Sequence, residues 1–296
     1  MEGRIIGIDI GGTTFSSTLF NDNLDILDVS EKEFISKLNS TKKLLDAIAN
    51  QIKTYNTKID GIGISCPGPL DSKNGIILET PNLKLLQNIN LKKEIESRCK
   101  ASTYIENDAN LFTLGEWCSM DENNSKVLGG VTLGTGLGFG VVINGEIFTG
   151  AHGMASEYAI SPVNSGNWES KVSISGIMKS ALKHIGKKLD PETLYEMAVK
   201  KDKSAMRIWS EFGHNLGLAL SHFINMLDPD TISIGGGVSG AFKLFEADMK
   251  NVLNEYCPSY KKFTINIFES KKKELSSHLG AALLVKKNTL NYIHEI

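Results

Sequence analysis

Residues 4–20 read RIIGIDIGGTTFSSTLF, in which two apolar runs of strand length flank a turn of two glycines and two threonines. Polar residues 21–23 follow, so the order of strand, glycine turn, strand and polar turn predicts a β-meander. Residues 127–143 read VLGGVTLGTGLGFGVVI and repeat this arrangement, and Asn144-Gly145 after them is a favoured two-residue hairpin turn. The two hairpins lie about 120 residues apart, which suggests an internal duplication.

Helices separate the remaining strands. Apolar residues recur at helical spacing in 41–55 and 204–227, whereas 59–66 and 231–234 are short apolar runs bounded by turn residues. Strands that alternate with helices indicate an α/β protein. The length of 296 residues favours two domains.

Composition narrows the classes of protein. Lys and Arg number 32 against 34 Asp and Glu, so the net charge of -2 gives no general attraction to nucleic acid or to an anionic membrane. No apolar stretch is long enough to span a membrane. Glu2 and Asp9 carry charge where a signal peptide would have its apolar segment, so a signal peptide is not expected. The four widely spaced cysteines predict reduced, mostly buried thiols. We therefore expect a cytoplasmic protein with no nucleic-acid or membrane partner.

Glycine turns follow three predicted strands. One such turn is more often structural, but three in one chain favour a phosphate-rich ligand, because backbone N–H groups can then approach an anion. A P-loop is excluded, since the Gly186-Lys187 pair is followed by Lys188. A Rossmann fingerprint is excluded because Phe139 stands where its third glycine would be. The candidate nucleotide-binding glycines and threonine are Gly11, Gly12, Gly134, Thr135, Gly136, Gly235, Gly236 and Gly237.

Asp9 ends the first predicted strand, directly before its glycine turn. A carboxylate beside phosphate-binding amides would repel phosphates, but it becomes useful if it binds Mg²⁺ directly or through water. Thr13 and Thr14 would then donate their hydroxyls to phosphate oxygens. The alternative is that Asp9 only caps the turn.

The segment Glu106-Asn107-Asp108-Ala109-Asn110 follows an apolar pair and precedes an apolar helix start. One interpretation is an Asp helix cap. The other is a general base, in which Asp108 accepts the proton of a sugar hydroxyl and orients that oxygen toward phosphorus. Asn107 would hold a neighbouring hydroxyl.

Six motifs in chain order resemble those of the ROK family of sugar kinases and repressors. They are Asp9–Thr13, Gly63–Pro69, Pro81–Leu83, Glu106–Asn110, Leu133–Gly138 and Pro229–Val238. The resemblance implies a two-domain actin-like ATPase (ribonuclease H-like) α/β fold with a duplicated β-meander plus helices. It implies a small domain over 1–108, onto which a C-terminal helix of about 281–296 packs back, and a larger domain over 109–280. It also implies ATP and Mg²⁺, with Asp108 as the base on the 6-hydroxyl.

Sugar contacts are implied by the same resemblance. Asn82 lies in the sugar-side motif, and Asn107 and Asp108 would contact the sugar. Glu157 matches the glutamate of the family's G-x-x-x-E-x-G-H motif, and Glu169 matches that of G-C-x-E. From the residues alone, both glutamates would be unremarkable surface acids.

The family's zinc ligands are missing from this chain. The histidine of the first motif falls at Ile160, and the cysteine cluster falls across 161–167, which contain no cysteine. Zinc needs three or four nitrogen or sulfur ligands, and this region offers only His152. We expect no structural zinc and a loop held by packing through Trp168. The missing histidine also removes one polar sugar contact.

The leading hypothesis is a sugar kinase that converts N-acetyl-D-mannosamine to its 6-phosphate, because the pattern is most similar to that of bacterial N-acetylmannosamine kinases. A glucokinase is the alternative. Family repressors carry a DNA-binding extension before the first motif, for which the residues before Asp9 leave no room. A non-catalytic sugar-binding protein is disfavoured by the presence of both Asp9 and Asp108. The family also implies a homodimer.

Overall fold

The computed structural model describes residues 3–81, 83–120, 125–272 and 274–294, with side chains as far as 289. The strands are β1 (Arg4–Ile10), β2 (Thr14–Asn21), β3 (Ile26–Val29), β4 (Glu33–Phe34), β5 (Gly61–Cys66), β6 (Leu70–Asp71), β7 (Ile76–Ile77), β8 (Ser102–Asn107), β9 (Val127–Leu133), β10 (Leu137–Ile143), β11 (Glu146–Ile147), β12 (Thr231–Gly235) and β13 (Asn266–Glu269). The helices are α1 (Thr41–Thr54), α2 (Leu91–Cys99), α3 (Asp108–Cys118), α4 (Ile174–Ile185), α5 (Pro191–Val199), α6 (Lys203–Leu227), α7 (Phe242–Tyr256), α8 (Pro258–Lys262) and α9 (Glu274–His294). Short 3-10 turns lie at Ile35–Lys37, Lys84–Leu86, Glu157–Ile160 and Ser239–Ala241. The predicted α/β class is confirmed.

The chain forms two compact units. Unit 1 comprises Met1–Asn124, Gly145–Met154 and Lys272–Ile296. Unit 2 comprises Ser125–Asn144 and Ala155–Lys271. This division differs from the predicted ranges 1–108 and 109–280, because α3 packs within unit 1.

The sheet of unit 1 has the strand order β3-β2-β1-β5-β8, and β4 pairs with β2. β1 is antiparallel to β2 and parallel to β5, which is parallel to β8. The register places Asp9 beside Ser65, Ser65 beside Glu106, and Cys66 beside Asn107. Because the carboxyl ends of parallel strands meet at one edge, these polar residues are brought together there.

Helix α9 crosses β1 and β5 at a distance that only glycine permits. A Cβ at Gly7 would lie 2.0 Å from the carbonyl oxygen of His278, and one at Gly63 would lie 1.9 Å from that of Ala281. The contact begins earlier than predicted, because α9 starts at Glu274 and not near 281. Helix α3 packs on α9 equally closely, since a Cβ at Gly115 would lie 1.8 Å from the carbonyl oxygen of Ser276.

Unit 2 contains the strands β10-β9-β12-β13 in that order. β9 and β10 form an antiparallel hairpin, and β12 is parallel to both β9 and β13. This is the same order as β2-β1-β5-β8 in unit 1, which agrees with the predicted duplication. The core includes stacked and edge-on rings, among them Phe212 and Phe245, whose centroids lie 5.1 Å apart.

The cysteines are free thiols: Cys66 and Cys257 are buried, and Cys99 and Cys118 are partly buried. Within the described ranges, no helix combines the length and the apolar character needed to cross a membrane.

Candidate active site

The carboxylate of Asp9 is held by the neighbouring strand. Its Oδ1 accepts a hydrogen bond of 2.6 Å from Ser65 Oγ. The turn after β1 is closed instead by the backbone, where Gly11 N donates to Thr14 O at 2.8 Å. Burial raises the pKa of Asp9 to about 6, although the hydrogen bond from Ser65 opposes this shift. Asp9 is therefore a partly buried carboxylate at a strand end, fixed by a hydroxyl that no sequence motif singles out.

The start of α3 is capped by Asn107 and not by Asp108. Asn107 Oδ1 accepts hydrogen bonds from Ala109 N at 2.9 Å and from Asn110 N at 3.3 Å. Two donors at the helix N-terminus are thereby satisfied. The amide nitrogen of Asn107 makes no hydrogen bond within the described part of the chain, so it is left to donate to a ligand.

Asp108 is the first residue of α3, and its Oδ1 accepts a hydrogen bond of 2.8 Å from Ala109 N. Burial and, second, the negative charge of Asp9 raise the pKa of Asp108 to about 6. A carboxylate whose ionisation is disfavoured by burial and by a neighbouring carboxylate is typical of functional sites. A pKa near neutrality is the property that a general base needs.

Glu106 positions this segment from within the core. Only 6% of its surface is exposed, and its Oε1 accepts hydrogen bonds from Asn107 N at 2.7 Å and from Asn110 Nδ2 at 3.1 Å. It thus joins the end of β8 to the first turn of α3. Neither Glu106 nor Ser65 had a predicted role of its own. The contacts of Glu106 lie within one short segment of sequence, whereas Ser65 reaches Asp9 only through the pairing of β1 with β5, which the sequence does not show.

The first glycine turn is open toward solvent. Gly12 and Thr13 are exposed, and Thr13 O accepts a hydrogen bond of 2.8 Å from Ile35 N, which fixes the turn. A Cβ at Gly11 would meet only Thr14 O, at an ordinary 3.5 Å. Packing therefore leaves room at this turn for a ligand to approach the backbone.

The other two glycine turns meet each other in unit 2. Gly236 has a φ of +85°, and a Cβ on it would lie 2.3 Å from the carbonyl oxygen of Leu133. That oxygen also accepts a hydrogen bond of 3.0 Å from Val238 N. In contrast, a Cβ at Gly134 or Gly237 would meet nothing within 4 Å. The two turns therefore form one cradle of exposed backbone, which suits a phosphate group.

Glu169 lies on the glycine turn between β9 and β10. Its Oε2 accepts a hydrogen bond of 3.2 Å from Leu137 N, and a Cβ at Gly136 would lie 2.5 Å from the same oxygen. Glu169 N donates to Ala159 O at 2.9 Å, which brings it beside the 3-10 turn that begins at Glu157. Glu157 itself is exposed. The remaining predicted sugar contact, Asn82, lies outside the described residues.

The segment from Tyr158 to Trp168, where the family resemblance implies zinc ligands, is held here by aromatic packing. Ile160 is 63% exposed, whereas Trp168 is 5% exposed and packs edge-on against His222 with ring centroids 5.7 Å apart. Val163 N donates to Gly166 O at 3.0 Å and closes the intervening turn. Among the residues that the structure describes, no group of three or more His, Cys, Asp or Glu side chains could hold a metal ion.

Comparison with known proteins identifies the family. The ROK family profile matches residues 5–288. The chain belongs to the ROK family. A glucokinase of Thermotoga maritima is 28% identical over 96% of this chain and 98% of its own length. An N-acetyl-D-glucosamine kinase of Histophilus somni is 29% identical over 81% of this chain and 86% of its own. The family also includes repressors, since a xylose repressor of Caldicellulosiruptor bescii is 24% identical over 98% of this chain and 80% of its own length.

Solved structures of ROK proteins share the fold. A glucokinase from Streptomyces griseus, in complex with glucose and AMPPNP, is 23% identical and superposes with a TM-score of 0.83 over 96% of this chain and 100% of that one. A Listeria monocytogenes protein described as a candidate N-acetylmannosamine kinase has the same identity and TM-score, 23% and 0.83, over 97% of this chain and 99% of that one. The predicted two-domain actin-like ATPase fold is thereby confirmed.

Proposed function

We propose that this ROK protein transfers the γ-phosphoryl group of ATP to the 6-hydroxyl of a hexose-type sugar. The observation that carries the proposal is the Asp108 carboxylate, whose pKa is raised to about 6 at the first position of α3, within electrostatic reach of Asp9. Relatives that act as kinases on glucose and on N-acetyl-D-glucosamine support the same reaction class.

Asp108 serves as the general base. Its carboxylate accepts the proton of the 6-hydroxyl as the sugar oxygen bonds to the γ-phosphorus and the bond from that phosphorus to the bridging oxygen of ADP breaks. With a pKa of about 6, the carboxylate is ionised at neutral pH and still basic enough to take a proton. The hydrogen bond from Ala109 N holds the carboxylate in place, and the hydrogen bond from Asn107 N to Glu106 Oε1 fixes the backbone just before it. Asn107, through its amide nitrogen, donates to a neighbouring sugar hydroxyl.

Asp9 is the residue that would hold Mg²⁺, directly or through water. Carboxylate oxygens are the ligands that this ion prefers, and a cation would relieve the repulsion between Asp9 and Asp108. When bound, Mg²⁺ supplies neutralisation of phosphate charge. Ser65 restrains one oxygen of Asp9 at 2.6 Å, which orients the carboxylate.

The glycine turns supply backbone donors for the phosphates, together with the hydroxyls of Thr13 and Thr14. The openness at Gly134 and Gly237 supports this role, because nothing in the protein fills the space that a side chain would take. We assign Asn82, Glu157 and Glu169 to sugar binding. The hydrogen bond from Leu137 N leaves the second carboxylate oxygen of Glu169 for a sugar hydroxyl.

N-acetyl-D-mannosamine is the proposed sugar, and glucose is the alternative. The Listeria monocytogenes neighbour supports the first and the Thermotoga maritima relative supports the second. A screen of ADP release from Mg·ATP with glucose, fructose, allose, N-acetyl-D-mannosamine and N-acetyl-D-glucosamine tests both. We expect the highest kcat/KM with N-acetyl-D-mannosamine. Preference for glucose overturns the sugar assignment, and sugar binding without ADP release overturns the kinase assignment in favour of a non-catalytic binding protein.

We also propose that the enzyme is a cytoplasmic homodimer that acts without nucleic acid or membrane. The net charge of -2 supports the absence of such partners. Sedimentation equilibrium tests the dimer, and a mass of one chain of 32.3 kDa would contradict it.

A further inference from the structure

A pocket of about 240 Å³ lies within unit 2, between α4, α6 and the segment 165–171. None of the glycine-turn residues at 134–136 or 235–237 lines it. Its volume is below the range of roughly 300–1,000 Å³ that drug-sized ligands occupy, so it suits a small metabolite. The pocket is therefore separate from the glycine turns that are proposed to bind the nucleotide.

Positive charge dominates the wall of this pocket. Lys171, Lys179 and Lys183 line it together with a single acid, Glu211. Lys183 Nζ lies 3.6 Å from Glu211 Oε1, and Lys171 Nζ donates to Ser165 Oγ at 3.2 Å. Lys179 has no ion pair or hydrogen bond within the described part of the chain. Three ammonium groups against one carboxylate leave an excess of two positive charges, which favours an anionic ligand.

Glu211 is fixed in one orientation. Its Oε2 accepts hydrogen bonds from Ser180 Oγ at 3.1 Å and from His184 Nε2 at 2.7 Å. Burial alone would raise the pKa of Glu211, but these hydrogen bonds and Lys183 lower it on balance, so the carboxylate stays ionised. An ionised carboxylate beside ammonium groups is an acceptor for ligand hydroxyls.

The rest of the wall suits a carbon ring that carries hydroxyl groups. Phe212 and Ile177 are buried and apolar, and Asn215 adds an amide that both donates and accepts. A small ring with several hydroxyls and one strong anion therefore matches the whole wall. A bare inorganic anion would leave the apolar side and Glu211 unmatched.

We propose that this pocket binds a phosphorylated sugar, with the phosphate at Lys171, Lys179 and Lys183 and the sugar hydroxyls at Glu211 and Asn215. The choice of a sugar phosphate rests on the proposed function, whose product belongs to this class. The segment 167–171 connects the pocket to the nucleotide turn, because Lys171 lines the pocket while Glu169 accepts the hydrogen bond from Leu137 N. Occupancy of the pocket therefore acts on the turn between β9 and β10.

Calorimetric titration of the full chain tests the proposal, with N-acetylmannosamine 6-phosphate, glucose 6-phosphate, glucose and inorganic phosphate as probes. The test variant is Lys179→Gln with Lys183→Gln. The matched control is Lys187→Gln with Lys188→Gln, which removes the same charge just beyond α4 from residues that do not line the pocket. We expect a hexose 6-phosphate to bind, with a Kd weakened at least about tenfold in the test variant and less than about twofold in the control.

Several outcomes overturn the proposal: no saturable binding, equal affinity in the test and control variants, or binding that Asp108→Asn abolishes and the lysine variant does not. Titration of AMPPNP against rising hexose 6-phosphate separates the sites. A shift of the AMPPNP Kd that reaches a plateau supports two coupled sites, whereas a shift that grows without limit means direct competition and overturns the proposal. These measurements use no turnover, so failure of the ADP-release screen and failure of this proposal are distinguishable.

Discussion

Asp108 carries the proposed chemistry, and replacing it with asparagine removes the proton acceptor while keeping the side-chain shape. We expect Asp108→Asn to lower kcat by about 10³-fold, because a base serves mainly the transition state, and to change sugar affinity less. Steady-state kinetics and sugar titration measure the two effects. Asp28→Asn, in the exposed strand β3 of the same unit, is the control and should retain activity. Near-wild-type turnover of Asp108→Asn would remove this residue from the role.

The raised pKa of Asp108 predicts a pH dependence of activity. The base must be ionised to accept a proton, so kcat/KM should fall as the pH drops through about 6. At one pH unit below that value we expect about a tenfold loss relative to the plateau at high pH. Asp9 also titrates near 6, so the profile reports apparent values of the pair. A profile that is flat down to about pH 4 would contradict the assignment.

The raised pKa of Asp108 also predicts that the protein becomes more stable when the charge of this side chain is removed. The pKa of Asp108 rises from 3.8 to about 6 on folding, so the native state binds the proton more tightly and loses stability as the pH rises between these values. Asp108→Asn should therefore raise the free energy of unfolding by about 2–3 kcal/mol above neutral pH. The gain should disappear below about pH 4, where the carboxyl is protonated in both states. Chemical denaturation at the two pH values measures it, and a pH-independent effect would contradict it.

How far the site could be predicted depends on how local each contact is. The acids and amides of Glu106–Asn110 are neighbours in the sequence and therefore lie close together in any fold. Their position at a strand end and helix start was therefore predictable. The bond from Ser65 to Asp9 spans 56 residues and exists only because β1 and β5 pair in one register. A single sequence gives no register, so this positioning hydroxyl was out of reach. The same holds for the hydrogen bond that places Glu169 on the turn before Leu137.

Predicted elements are most accurate where periodicity and caps agree. The helix predicted over 41–55 is observed as Thr41–Thr54, with Ser40 Oγ accepting from Lys43 N as its cap. The second strand of the hairpin over 127–143 begins at Leu137, inside the glycine-rich stretch, because Gly138 pairs opposite Thr132. A glycine in a strand carries no signal of its own, since only pairing with β9 draws it into the sheet.

The pairing of α3 with α9 sets where Asp108 lies, and glycine makes this pairing possible. A Cβ at Gly280 would lie 1.9 Å from the carbonyl oxygen of Leu111, so Gly280→Ala must push the helices apart. We expect a loss of about 2 kcal/mol in the free energy of unfolding, together with a lower kcat as α3 moves. Gly240→Ala is the stability control, since a Cβ there meets nothing within 4 Å. Equal stability of the two variants would show that the close helix contact contributes nothing.

The chain as a whole is expected to fold without zinc, and the packing around Trp168 explains how. Trp168, Tyr158 and His222 form one aromatic group that closes the segment 161–171 against α6, where zinc ligands would otherwise be needed. Elemental analysis should therefore find no stoichiometric zinc, and a chelator should leave the melting temperature unchanged while removal of Mg²⁺ stops turnover. Trp168→Ala should cost about 3 kcal/mol, whereas Trp168→Phe keeps a ring and should cost about 1 kcal/mol. One zinc per chain, or melting that the chelator lowers, would mean that the family histidine does not fall at Ile160 and that ligands elsewhere hold this segment.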